Sequence, residues 1–535
     1  MCGIFGIIGK PGNNLRLLKS MSKVQEFRGP DKKYFYNNKK KNIFLGTNRL
    51  AVIDIKHGHQ PMPSSDKDYL VNFNGTIYNF KEIKKYLIKK KIKFNTNCDT
   101  EVIANAYQYW GKKSFNYFDG MWAISIYDIK SHKIILSRDY TGQKPLYYSI
   151  NKNYLLFSSQ ISGILEDKSV SKKISTEGIS EYFQYSFIPA PNTLLQNIYQ
   201  LAPGSYLTYD IKKNKIEKKT YWNINKGPNY NLFFPRILEN NFVNMFDKVI
   251  KEHTISDVEP SVLLSSGIDS YLVAKFLKKN LKKLKTFSLG FKNKTFNETD
   301  IVRKIKDPFE KNIFYLDSKK SFEILKKIRK NLDHPIGDSS LIPTYAIFEQ
   351  VKKKTKVSLG GDGGDENFFG YITFDAFYFA NKIKKFFPNF IFQQLKKITK
   401  ILPVTYSYIN LSQKIRIFIE NLDQKSENLL PSWSNSLNQL ELEDLLKDKN
   451  IKNIIYSHSK KIFDKKKPLM KNAQNYYFSY FLPVILQKVD QASMLNSVEH
   501  RSPFLSKKIL NFSLDGDCAK LYKTFYPKFF LKKIF

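Results

Sequence analysis

The stretch LLSSGIDSY at 263–271 admits few backbones. The apolar run SVLLS at 261–265 has the brevity and branching of a buried strand. It breaks at Ser265, Ser266 and Gly267 into Asp269 and Ser270, residue types that open helices. A strand, a Ser-Gly turn and a helix in immediate succession turn backbone amides and a helix N-terminus toward one point, which suits an anion. The turn lacks the GK[ST] ending of the usual P-loop, which argues against transfer of a γ-phosphate. Upstream, Ile237, Leu238, Phe242, Met245, Phe246, Val249 and Ile250 recur at helical spacing. Helix, strand, glycine turn, helix and strand is the alternation of a doubly wound parallel sheet, so this half reads as α/β. From 372 to 530 the text is mostly amphipathic, with helical periodicity around 411–421 and 476–496, and is expected as a helical extension of that domain.

The N-terminal half reads as short strands at 3–8, 43–54, 69–75, 121–128, 133–139 and 154–159, with helical stretches at 80–90 and 100–110. That is a sheet-rich α/β layer structure with helices outside. Around 203–230 the text changes to PGSYLTYD, KKNK and YWNINKGPNY, with the Pro, Gly and Asn content of a connector. A chain of 535 residues is too long for one core at about 100 to 200 residues per domain. We expect a first domain at 1–210, a linker at 211–235 and a second domain at 236–535.

Composition narrows the function classes. Lys and Arg number 88 against 48 Asp and Glu, a formal net charge of +40. The basic residues come as short runs, such as Lys39–Lys41 and Lys465–Lys467, scattered along the chain and not gathered on one tail or helix face. That pattern describes a solvated surface and not a specific nucleic-acid site. The most apolar segment, YYFSYFLPVILQ at 476–487, is short and broken by Pro483, so no membrane span is expected. The start, MCGIFGIIGK, has no secretory character, and Cys2, Cys98 and Cys518 cannot form a disulfide framework. A reducing cytoplasm is the expected location.

Two constellations can carry chemistry. Cys2 follows Met1, and a small residue there permits removal of the initiator, leaving a cysteine with a free α-amine of pKa about 8 that can serve as base for its own thiol. Position alone also fits a small hydrophobe at the start of a strand. Arg49 in TNRLAVID, Asn74 and Gly75 in VNFNGTIYN, and Asp99 in CDTE supply what hydrolysis of an amino-acid amide needs beyond a nucleophile. Those needs are donors for the oxyanion, a cation for the α-carboxylate and an anion for the α-ammonium. The second constellation joins the Ser-Gly turn to VSLGGDGGDENFFGY at 357–371, where Asp362, Asp365 and Glu366 are carboxylates that can hold Mg²⁺ against pyrophosphate oxygens.

MCGIFGIIG, RGPD at 28–31, GHQPM at 58–62, NGTIYN at 74–79, DTE at 99–101 and RDYTGQKPLYY at 138–148 together resemble the class II glutamine amidotransferase domain. LLSSGIDSY, KTFSLGF at 285–291 and the acidic loop resemble the ATP pyrophosphatases. With DHPIGDSSLIPTY at 333–345 and LPVILQKVDQASMLNSVEHRSPFL at 482–505, the whole order resembles the glutamine-hydrolysing asparagine synthetases. The resemblance implies an N-terminal-nucleophile αββα sandwich followed by an ATP-pyrophosphatase domain. It implies that Cys2 is the glutaminase nucleophile, that Arg49 binds the glutamine carboxylate, that Asn74 and Gly75 form the oxyanion hole, and that Asp99 holds the ammonium. It implies that Leu264, Ser265, Gly267, Asp269 and Ser270 bind ATP, with Leu289 and Gly361 near the nucleoside, and that Asp269 and Asp365 meet Mg²⁺ and pyrophosphate. Glutamine, aspartate and ATP would be the partners, and a homodimer is a candidate assembly. Ammonia released from glutamine would pass internally to an aspartyl-adenylate.

Several positions depart from that pattern. Phe27, Thr76, Gln160, Ser266, His334, Asn367 and Phe369 stand where the family usually has other residue types. Ser266 is tolerable only with a negative φ. The family also carries a basic Arg-x-Lys-x-Gly-Phe motif beyond a segment like KFFLKKIF at 528–535, and here Lys488 is one candidate for its lysine. Amidation of another carboxylate, as in surface-polysaccharide synthesis, a glutaminase without synthetase activity, and an RNA-modifying ATP pyrophosphatase are the rival readings.

Overall fold

The computed structural model describes residues 2–151, 153–292, 297–399, 411–434, 437, 439–447, 456–516 and 518–535. Twelve strands build the N-terminal half: β1 (Cys2–Ile8), β2 (Lys32–Asn38), β3 (Ile43–Arg49), β4 (Met62–Pro63), β5 (Tyr69–Ile77), β6 (Gly120–Asp128), β7 (Lys133–Arg138), β8 (Tyr147–Asn151), β9 (Tyr154–Ser158), β10 (Tyr199–Gln200), β11 (Ser205–Asp210) and β12 (Lys215–Thr220). They form two six-stranded antiparallel sheets, ordered β10-β8-β9-β1-β3-β2 and β12-β11-β7-β6-β5-β4.

The layering follows from the side chains. Along β1, Ile4 and Ile8 join Leu45, Tyr127, Leu136 and Leu207 in a core between the two sheets. The alternate residues Phe5 and Ile7 face the other way, against Leu18 and Met21 of the helix Leu15–Val24. On the second sheet, Val71, Phe73, Ile124 and Ile126 pack against Ile83, Leu87, Val102 and Ile103 of the helices Phe80–Lys89 and Asp99–Trp110. Helix, sheet, sheet, helix is the expected αββα sandwich.

Two local expectations need correction. The apolar run at 43–54 leaves the sheet after Arg49, because Leu50 and Val52 instead enter the core of the C-terminal half. The expected linker begins with a strand: β12 pairs with β11 from Ser205↔Thr220 to Asp210↔Lys215. Its Lys-rich, exposed residues hid it, since an edge strand is kept soluble by the same charges that make it read as loop.

The C-terminal half carries β13 (Ser261–Leu263), β14 (Lys285–Phe291), β15 (Glu310–Leu316), β16 (Val357–Leu359) and β17 (Glu499–Arg501), all parallel, in the order β15-β14-β13-β16-β17. Val262 packs on Phe246, Val249 and Leu272 of the helices Phe242–His253 and Ile268–Lys278, while Phe287 packs on Ile324, Ile328 and Phe348 of Ser318–Arg329 and Leu341–Val351. Helices on both faces make the sheet doubly wound. Strand order reverses between β13 and β16, and in such sheets the crevice past the strand ends at that reversal is where ligands bind. Helices between Ile372 and Leu495 form the extension. Among the described residues no helix is long and apolar enough to cross a membrane.

β17 was not foreseen, because all three of its residues are polar: Glu499, His500 and Arg501 are 1%, 4% and 0% exposed. Burial is sustained by pairing. Arg501 Nε donates to Glu499 Oε1 at 2.7 Å, and its Nη1 donates to the carbonyls of His253 and Ile255 at 2.6 and 3.0 Å. Removing one partner of a buried ion pair strands the other and costs about 3–5 kcal/mol. Arg501→Leu should therefore lower the urea midpoint of unfolding strongly, whereas Lys215→Ala on the exposed edge should shift stability by no more than ~0.5 kcal/mol. Equal midpoints for the two variants would contradict this account of β17.

Candidate active sites

The first candidate site lies at the end of the αββα sandwich where β1 meets β3. Their register sets Cys2 opposite Arg49. The Cys2 backbone N–H donates to Asn74 Oδ1 at 3.0 Å, while Asn74 Nδ2 is buried with no hydrogen-bond partner. An unspent amide donor beside a thiol is what a developing oxyanion requires. Gly75 has φ +152°, and a Cβ there would stand 1.9 Å from the Met121 carbonyl oxygen, so only glycine allows this approach.

Arg49 is buried, and its Nη groups donate to the carbonyls of Ile53, Asp54 and Ile55 at 3.0, 2.8 and 3.0 Å. Three of its five N–H donors thus shape the loop that follows β3. Asp99 opens the helix Asp99–Trp110 and accepts the Ile77 N–H at 3.2 Å. Burial pushes its carboxyl up to about 6. Burial also raises the Cys2 thiol, against the pull of the amino-terminal charge, the Leu50 backbone and Arg49. Cys2, Arg49, Gly75 and Asp99 line one small cavity, with Gln60, Thr76, Cys98 and Glu499.

The second candidate site occupies the reversal of the parallel sheet, a cavity of about 440 Å³. Leu264, Ser265, Gly267, Asp269, Ser270, Leu289 and Gly361 all line it. The turn after β13 is braced by its own hydroxyls: Ser265 N–H donates to Ser270 Oγ at 3.0 Å, and Gly267 N–H to Ser265 Oγ at 3.2 Å. Gly267 then caps the helix Ile268–Lys278. Ser266 stays out of the left-handed region, and its N–H and hydroxyl donate to Glu298 at 3.2 and 2.7 Å. A Cβ on Gly361 would stand 2.8 Å from Asp269 Cβ, so the acidic loop and the Ser-Gly turn meet backbone to backbone.

Asp269 and Asp365 converge on one cation, the Lys528 ammonium, at 2.5 and 2.9 Å. Burial pushes Asp269 up to about 6, with Lys528 opposing and Asp365 adding, and Asp269 Oδ1 is buried without a partner. Two converging carboxylates with an unsatisfied oxygen, already gathered around a positive charge, fit a divalent cation whose remaining ligands come from phosphates and water. Among the described residues no group of three or more His, Cys, Asp or Glu forms a complete cage, so such an ion would depend on substrate oxygens.

Three lining residues escaped the sequence reading. Lys528, not Lys488, is the lysine at the acidic pair; Lys488 lines the same cavity but bonds Asp338 and Ser340 at 2.8 and 2.7 Å. Glu499 lines the first cavity and His500 the second, although they are neighbours in β17. Thr76 donates to Glu499 Oε1 at 2.7 Å across the two halves. Burial opposes ionisation of Glu499, but the amino-terminal charge and Arg501 hold it at about 2. The signal available was the run of four polar residues, Glu499, His500, Arg501 and Ser502, between Val498 and Pro503.

Comparison with known proteins agrees with this division of labour. Residues 1–222 match the model of a glutamine amidotransferase domain, and residues 242–535 match asparagine synthase. A Methanocaldococcus jannaschii protein, provisionally named as glutamine-hydrolysing asparagine synthetase 2, is 36% identical over 418 residues, 73% of this chain and 79% of that protein. Glutamine-hydrolysing asparagine synthetase 1 of Bacillus subtilis is 28% identical over 565 residues, spanning all of this chain and 84% of its own length. The mouse glutamine-hydrolysing asparagine synthetase is 28% identical over 404 residues, 70% of this chain and 67% of its own length.

The second site also carries a measurable strain. Burial, with Asp365 adding, pushes Glu366 from 4.5 up to about 8, where Tyr371 Oη bonds it at 2.8 Å. A folded-state value above the unfolded one means the unfolded chain ionises first, so stability is lost as pH rises from about 4.5 to about 8. Glu366→Gln removes that loss. The melting-temperature advantage of the variant over the parent should grow from pH 5 to pH 8, and an advantage independent of pH would contradict the assignment.

Proposed function

Since the chain belongs to the asparagine synthase family and carries a glutamine amidotransferase domain ahead of the synthetase domain, we propose that this ATP-using, glutamine-dependent amidating ligase converts aspartate to asparagine. The glutaminase domain would span 1–210 and the synthetase domain 236–535. The observation that supports the reading best is that the seven nucleotide-lining residues and the Asp269–Asp365 pair share one cavity at the sheet reversal. In the other half, Cys2 contacts Asn74 beside Asp99.

The Cys2 thiol would lose its proton to the α-amine and attack the glutamine amide carbon. Asn74 Nδ2 and the Gly75 backbone would receive the oxyanion, Arg49 the α-carboxylate and Asp99 the α-ammonium. Collapse, with the Cys2 ammonium passing its proton to the departing nitrogen, would give a glutamyl thioester and ammonia, and water would then release glutamate and restore the thiol. In the second site the β-carboxylate of aspartate would attack the α-phosphorus of ATP, because a carboxylate is a poor electrophile until its oxygen becomes a good leaving group. The helix N-terminus behind Gly267 and the hydroxyls of Ser265 and Ser270 would hold phosphate oxygens. Mg²⁺ held by Asp269 and Asp365 would neutralise charge on the departing pyrophosphate, and Lys528 would move from those carboxylates to phosphate. Ammonia would attack the acyl carbon. The new C–N bond forms as the C–O bond to AMP breaks, and the nitrogen must shed a proton. Asp362, which lines the cavity with its Oδ2 held by His500 and Ser502, would be the acceptor for that proton. Free thiols at Cys2 and Cys98 suit a reducing cytoplasm.

The direct test is pyrophosphate release from MgATP with ammonium as nitrogen source, with and without aspartate. Aspartate-dependent release is the expected result. Release that responds to another carboxylate and not to aspartate would overturn the acceptor while leaving the amidation chemistry in place. Cys2→Ala should abolish glutamine-dependent turnover and leave ammonium-dependent turnover unchanged. Asn74→Ala should lower kcat for glutamine hydrolysis by about 10²–10³-fold, and an undiminished kcat would remove Asn74 from the oxyanion hole.

A further inference from the structure

We propose that His500 is a positioning residue of the synthetase site, fixing one oxygen of Asp362 so that the other faces the cavity as proton acceptor for the amidation step. The inference rests on the amidation reading above. It starts from a bond: His500 Nε2 lies 2.9 Å from Asp362 Oδ2, and Ser502 Oγ donates to the same oxygen at 3.3 Å. Both bonds fall on Oδ2. The Asp362 side chain retains 22% exposure, and both it and His500 line the nucleotide cavity.

The imidazole is itself held on three sides. Ser358 Oγ, on β16, lies 3.0 Å from Nδ1. With Nε2–H donating to the carboxylate, Nδ1 is left to accept from the Ser358 hydroxyl, which selects one tautomer. Phe348 packs edge-on at 5.4 Å between ring centroids. Gly360 closes the third side: a Cβ there would stand 2.6 Å from Nε2 and 3.3 Å from Asp362 Oδ2, so any side chain at 360 would push the pair apart. A buried ring with both nitrogens committed and a glycine kept clear beneath it holds a carboxylate to one rotamer.

The other carboxylates lining the cavity meet different partners. Asp269 and Asp365 meet Lys528, Glu366 meets Tyr371, and Glu298 accepts from Ser266. Asp362 faces His500 from β17, Ser502 from the segment after it, Lys488 from the helix Leu482–Leu495, Asp269 from Ile268–Lys278 and Glu366 from its own loop. In the step itself, ammonia's lone pair forms the C–N bond, the C–O bond to AMP breaks, and the proton from nitrogen passes to the free Asp362 oxygen and then to solvent.

The test uses the full chain and the variants His500→Ala and His500→Gln, with two activities followed separately. Aspartate-dependent exchange of labelled pyrophosphate into ATP, measured without a nitrogen source, reports adenylation. Asparagine formed from ammonium reports amidation. For His500→Ala amidation should fall about 10- to 100-fold, a part of the ~10²–10⁴ that a general base supplies, and by far more than the exchange. His500→Gln, which keeps an N–H donor, should recover part of the amidation. Parallel loss of exchange and amidation would overturn the proposal. Failure of the parent chain to catalyse aspartate-dependent exchange would instead strike the acceptor reading. The crystal structure of His500→Ala then decides the positioning role without any substrate. Asp362 turned from its present rotamer supports it, and Asp362 unmoved overturns it.

Discussion

A carboxylate and a guanidinium buried beside each other, Glu499 and Arg501, constrain the whole molecule. Neither charge could be taken from water alone, since an unpaired buried ion is far more costly than a paired one. The pair therefore holds β17 at the edge of the parallel sheet, where Arg501 ties down the carbonyls after the helix Phe242–His253. Glu499 has a second obligation across the domain boundary, to Thr76 on β5. Because successive side chains of a strand point to opposite faces, Glu499 is delivered to the thiol cavity and His500 to the cavity at the sheet reversal. One three-residue strand is thus common to both sites.

Other buried charges reinforce that junction. Asp490 on the helix Leu482–Leu495 receives Arg28 and Lys144 from the N-terminal half at 2.9 and 3.2 Å. Asp119, at the entry to β6, accepts the Ser506 hydroxyl and the Lys507 N–H at 2.7 and 2.8 Å. Each of these groups is buried, and each finds its partner on the other half. Leu50 and Val52 add apolar contact to the same effect, which is why the run after Arg49 stays hydrophobic after the strand has ended. The interface is built as a core and not as a hinge, and it keeps both cavities in one register.

Much of this was readable beforehand, for physical reasons. Buried strands such as 121–128 and the amphipathic helices 80–90 and 100–110 announce themselves through hydrophobic pattern, and the Ser-Gly turn through the backbone it demands. Residues brought together by local chain, such as Ser265, Gly267, Asp269 and Ser270, could be grouped from spacing alone. β12 and β17 could not. The first is an exposed edge whose lysines mimic a loop, and the second is a strand whose polarity is affordable only because partners distant in sequence neutralise it. Lys528 was hidden for the same reason, since its acidic partners lie 259 residues away at Asp269 and on the loop at Asp365. Phe369 departs from expectation in another way: it takes φ +54°, the left-handed cap of the short helix Gly364–Phe368, while its ring packs on Phe374 and Tyr522. Side-chain packing there holds a backbone conformation that glycine would adopt more easily.

The central claim is that one chain releases nitrogen at Cys2 and spends it at the Asp269–Asp365 cavity without letting it equilibrate with solvent. Turnover of unlabelled glutamine with MgATP and aspartate, in a bath of ¹⁵N-ammonium, tests this directly through the isotope content of the amide in the product. The account predicts an amide that is overwhelmingly ¹⁴N. An amide whose ¹⁵N content matches the surrounding ammonium would show that the two sites work as strangers, and would contradict it.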